Sequence, residues 1–80
     1  MSKNSLVAGG LNLVSRRMIP SPERFKVTFG FICPTRWATV TQISENLVYV
    51  WFDEPDKYAE SGLTMSLYDD KGRVAKCVIL

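Results

Sequence analysis

Phe25, Val27, Phe29 and Phe31 alternate with Lys26, Thr28 and Gly30, and this period of two is the feature that most narrows the folds open to the chain. On a helix the four apolar side chains would spread around the circumference, whereas on a strand they share one face. Leu63, Met65 and Leu67 alternate in the same way with Thr64, Ser66 and Tyr68. Trp37 to Ile43 is rich in Thr and Val and carries no helical stripe, and Leu47 to Phe52 is almost entirely apolar and β-favouring.

The residues between these segments are turn formers. Ser44-Glu45-Asn46 joins two strands as an antiparallel hairpin, and Asp69-Asp70-Lys71-Gly72 closes a second hairpin that Val74 to Leu80 completes. Cys33-Pro34 is expected to stop the first strand, because proline offers the ladder no donor. Ser21-Pro22-Glu23 predicts a single helical turn, and Asp53-Glu54-Pro55-Asp56 predicts a cap for a short helix that Gly62 ends. The fold class expected is mainly β, a small antiparallel sheet or SH3-like barrel of four to five strands with one short helical turn. Residues 23–80 make the β domain, and residues 1–22 make a flexible or docking N-terminal arm with apolar positions Leu6, Val7, Leu11, Leu13 and Val14. A strand from that arm would close the barrel.

Eighty residues hold one domain, near the lower limit for a core that lacks metal or disulfide support. Ten Lys and Arg against eight Asp and Glu leave a net charge of +2, which permits a nucleic-acid partner without arguing for one. Two separated cysteines, Cys33 and Cys77, do not form the dense pattern of a secreted disulfide scaffold. With no signal-peptide h-region and no run long enough to cross a bilayer, the expected location is the cytoplasm.

The chain contains no histidine, the commonest general base and metal ligand at neutral pH. Two cysteines without histidine do not assemble a four-ligand zinc site, and no Walker loop, dinucleotide fingerprint or nucleophile elbow is present. The acids at Asp53, Glu54, Asp56, Asp69 and Asp70 stand where caps and turns want them. The expectation is therefore a protein that is not an enzyme and uses no cofactor or metal.

Binding is the alternative to catalysis, and several residues suit it. Tyr49 and Trp51 share one strand face while Val48, Val50 and Phe52 share the other, so one apolar face is surplus to a core this small. Trp, Tyr and Arg are the side chains that most often anchor protein interfaces. Trp37, the neighbouring Arg36, and Arg16 and Arg17 of the arm complete the candidate partner-binding set. The same Arg and aromatic residues are compatible with phosphate contact and base stacking, which makes a nucleic-acid-binding barrel an alternative. A further alternative is a lipid anchor: Cys77-Val78-Ile79-Leu80 matches the prenylation pattern at Cys77, although the same residues also continue the alternation of a closing strand.

In length, absence of histidine, near balance of charge and compact β patterning, the whole chain resembles small phage-encoded proteins that bind and disable host machinery, inhibitors of host RNA polymerase among them. That resemblance implies host–virus interaction and transcription regulation by a stoichiometric binder in the bacterial cytoplasm. The partner it implies is a larger protein, a host enzyme complex.

Overall fold

A computed structural model describes residues 4–13, 18, 19, 21–30 and 32–80, without the side chains of residues 32–34. Six strands, β1 (Ser5–Leu13), β2 (Glu23–Phe29), β3 (Ile32–Gln42), β4 (Val48–Phe52), β5 (Thr64–Asp69) and β6 (Gly72–Ile79), form a closed barrel in the order β1-β4-β3-β2-β5-β6. Every neighbouring pair is antiparallel. β2, β3 and β4 form a meander, and the 53–63 connection then carries the chain back to place β5 beside β2, a Greek-key path.

Closure comes from β1. It lies between β4 and β6, with Leu6 opposite Val50, Val7 opposite Tyr49, and Gly9 opposite Val78. Its register slips between Gly9 and Asn12, and Gly10 there takes φ +59°, a left-handed conformation that glycine adopts without steric cost. Gly9 is needed for a different reason: a Cβ there would sit 3.3 Å from side-chain carbons of both Leu47 and Leu80. Closure gives each of the six strands a hydrogen-bonded neighbour on both sides over part of its length.

The period-two faces meet inside. Phe25, Val27 and Phe29 of β2, Ala38 and Val40 of β3, Val48, Val50 and Phe52 of β4, and Met65 and Leu67 of β5 are all buried. Phe29 and Phe52 pack edge to face with ring centroids 5.8 Å apart. Ile19, outside any strand, is also buried, held by its carbonyl accepting the Gln42 N–H at 3.0 Å and its N–H donating to Gln42 Oε1 at 3.0 Å. It closes the barrel at the Gln42 end of β3.

The small barrel that the alternation predicts is therefore present, with six strands and with no helix among the described residues. Three expected details differ. Cys33-Pro34 does not stop a strand, since β3 runs through both residues. Between the pairs Val27–Arg36 and Phe29–Ile32 the β2–β3 register shifts, and β4 pairs only from Ala38 onward, so Pro34 stands in a bulge where its missing donor costs nothing. The helical turn expected at Ser21-Pro22-Glu23 is absent because β2 already begins at Glu23, opposite Val40. The short helix expected over 53–62 is an irregular loop. Asp56 does not cap it: Oδ1 accepts the Tyr58 N–H at 2.8 Å in a local turn, and Oδ2 pairs with Arg36 Nε. Pro55 also biases Glu54 away from helical dihedrals.

Cys77 lies inside the wall with its Sγ 3.6 Å from the Met65 carbonyl oxygen, and burial pushes its thiol up from the ordinary 9.0 to about 12. Unfolding exposes a thiol that ionises near pH 9, so between there and about 12 the unfolded chain sheds a proton that the folded chain keeps. Stability is thus expected to fall as pH rises through that window, by up to about 1.4 kcal/mol per pH unit from this group, with no such penalty below it. Denaturant melts at pH 8 and 10.5 check this: the alkaline loss should be smaller in Cys77→Val than in the natural chain. Equal losses in the two would contradict it.

Candidate binding surface

Strand parity decides which candidate residues face outward. On β4, Val48, Val50 and Phe52 point into the core, so Tyr49 and Trp51 point out, 37% and 50% exposed. On β3, Ala38 and Val40 point in, so Trp37, Thr39 and Thr41 point out, with Trp37 47% exposed. An indole half in water is an expensive use of a large apolar side chain unless something else covers it.

Register places these residues beside one another. Across β3, β4 and β1 one row reads Thr39, Trp51, Ser5 and the next reads Thr41, Tyr49, Val7. Trp37 is the diagonal neighbour of Trp51, close enough for two large side chains to share a surface. Around the wall, Gly9 of β1 faces Val78 of β6, which is 40% exposed, and Leu80 follows at 65%, its N–H donating to the Val7 carbonyl at 3.1 Å. None of these positions is charged, and the first cation along the Trp51 row is Arg24, opposite Thr39 on β2.

Beyond Trp37 the wall changes character. Lys26 is directly opposite Trp37 on one side and Tyr68 on the other, and Tyr68 is opposite Arg73. The Lys26 ammonium lies 5.6 Å and the Arg24 guanidinium 5.3 Å from the centroid of the Trp37 ring. Arg24 also pairs with Asp53. An open groove of about 880 Å³ runs between this row and the β5–β6 turn.

Arg36 occupies a different environment. It shares the inward parity of Ala38 and Val40, its guanidinium stacks 4.6 Å from the Phe29 ring centroid and 5.8 Å from that of Tyr58, and it pairs with Asp56. The side chains of Arg36 and Asp56 are only 15% and 8% exposed, so the pair seals the barrel at the β3 start and anchors the 53–58 loop. Arg16 and Arg17 lie outside the described residues. Cys77 is in the core, where a lipid chain on its sulfur would have no room without unpairing the end of β6.

Tyr49, Trp51 and Trp37 are thus brought together, and Arg36 is not among them. Val7, Val78 and Leu80 are surface residues that the sequence reading did not single out for binding; their signal was the strand parity of β1 and β6, usable only once the pairing is known. Among the described residues no group of three or more His, Cys, Asp or Glu side chains could hold a metal ion, and no helix is long and apolar enough to cross a membrane. Comparison with known protein families and with curated proteins finds no match to this chain.

Proposed function

We propose that this protein is a noncatalytic binding protein that docks onto a larger protein through the outer wall of β3, β4, β1 and β6. The observation that carries this reading is the half-exposed Trp51 beside Tyr49 in an uncharged setting with Val7, Val78 and Leu80. Exposed aromatics ringed by aliphatic and hydroxyl side chains make the kind of centre in which interface energy concentrates, because a partner buries them without stranding a charge. Among the described residues the Trp51 and Tyr49 rows on β3, β4 and β1 carry no cation, and Lys76 and Arg73 enter only on β6, which favours protein over nucleic acid at the aromatic centre. Extending the reading by the resemblance in type, the action is stoichiometric inhibition of a bacterial machine such as RNA polymerase.

Purified bacterial RNA polymerase with the immobilised chain is the direct test of the partner, and a pulldown from bacterial lysate with identification of retained proteins tests docking in general. Trp51→Ala and Tyr49→Ala should each weaken capture by roughly 30-fold or more, the cost of a hot-spot truncation, while melting temperature falls less than for a core truncation because both rings lie outside the buried core. Retention of the same proteins by both variants would remove this wall from the binding surface. Failure to bind polymerase, with another protein captured in a Trp51-dependent way, would remove only the named machine.

A further inference from the structure

The groove beside Trp37 has a chemistry that the uncharged wall lacks. Directly paired positions on β3, β2, β5 and β6 read Trp37, Lys26, Tyr68, Arg73, an aromatic and a cation in strict alternation. Neighbouring strands stand about 4.8 Å apart, so the row spans about 14 Å, on the order of four nucleotides at the ~3.4 Å rise of a stacked strand. Lys71 lies on the same groove, at the turn whose Asp69 Oδ1 accepts the Lys71 N–H at 2.8 Å.

The charges are arranged to leave three cations for a ligand. Arg24 is shared with Asp53, whereas Lys26, Lys71 and Arg73 form no ion pair with another described residue. Four cations and three acids, Glu23, Asp69 and Asp70, line the groove, and with Arg24 drawn to Asp53 the remaining charges balance, so the cations act on a ligand by their positions and not through a net positive field. Lys26 is held at the Trp37 ring by cation–π attraction, which places its charge in advance of binding.

The geometry points to a short single-stranded nucleic acid in this groove, its bases against Trp37 and Tyr68 and its phosphates on Lys26, Lys71 and Arg73. Single strands present rings and anions in alternation, and sequence-tolerant binders meet them with stacking side chains set among cations. An acidic peptide would use the cations and leave the half-exposed indole without a role. Duplex DNA presents its bases edge-on within grooves and offers no free ring face to stack.

Fluorescence anisotropy of a labelled oligothymidylate of about twelve nucleotides, titrated with the full chain, tests this. Three neutralised phosphates give a salt slope near −2, so affinity should fall about 20-fold between roughly 50 and 200 mM salt. Trp37→Ala should weaken binding about tenfold, and Lys26→Gln and Arg73→Gln, exposed changes that leave the core alone, should each flatten the slope by about 0.7. Trp51→Ala, which neighbours Trp37 but does not line the groove, should leave it unchanged, which separates this site from the protein-docking surface. No binding at low salt, equal loss in Trp37→Ala and Trp51→Ala, or equal affinity for polyglutamate with no dependence on Trp37, would overturn the assignment.

Discussion

Deleting residues 1–13 is expected to leave a chain that does not fold. β1 supplies two of the six ladders that close the barrel, and without it β4 and β6 become open edges. Ala8 is lost from the core, Leu6 from its margin, and the newly exposed edge is the apolar run Val48–Phe52. A domain of this size has only about 4–12 kcal/mol of stability in all, less than the loss of two ladders and their packing. Circular dichroism should show no cooperative melting transition, and light scattering should show aggregation of the exposed strand. A truncated chain melting within a few degrees of the full one would mean that β1 is dispensable and that the barrel does not depend on closure.

Asp56→Ala is expected to destabilise by about 3 kcal/mol, because it strands the Arg36 guanidinium at a site where that side chain is only 15% exposed. For a domain of this length that corresponds to a drop of roughly 12–24 °C in melting temperature. The loop would loosen with it, since the same carboxylate accepts the Tyr58 N–H. Replacing both partners, Arg36→Met with Asp56→Leu, should recover much of the loss, because a pair of apolar side chains removes the uncompensated charge and still covers Phe29. A double-mutant cycle by thermal melts checks this; a double variant as unstable as Asp56→Ala would show that the loop depends on the hydrogen bonds of Asp56 and not on charge pairing.

These two expectations rest on residues that read differently in sequence and in structure. Arg36 stands next to Trp37 and looks like a surface cation beside an aromatic, yet adjacent residues on a strand face opposite ways, so an outward Trp37 sends Arg36 inward. What sequence does not supply is which of the two faces the core, because Arg36-Trp37-Ala38 has no clear apolar parity until Ala38 and Val40 are seen buried. The bulge at Pro34 compounds this, since it shifts the β2–β3 pairing by residues that no local pattern announces. Ile19 was illegible for a similar reason: it lies among Met18, Pro20 and polar residues, and only its pairing with Gln42 draws it under the barrel.

On β4, by contrast, the split between Val48, Val50, Phe52 and Tyr49, Trp51 was readable directly, because both sets follow a period of two over five residues and the aromatic members are the ones a small core has no space to take. The exposed Tyr49–Trp51 pair was legible for that reason. The Lys26–Tyr68–Arg73 row was not, since its members come from three strands, and β2 meets β5 only through a Greek-key crossing.

By itself the sequence determined the small β-barrel class, the strands β2, β4, β5 and β6, the hairpin turns at 44–46 and 69–72, and the inward residues of β2, β4 and β5, because alternation and turn propensity are local properties. Tertiary structure alone decided that residues 5–13 close a barrel, that Arg36 seals one end, and that aromatics and cations from separate strands share a wall. Those outcomes depend on register between segments distant in the chain, and register is fixed by the joint burial of many side chains and not by any one segment.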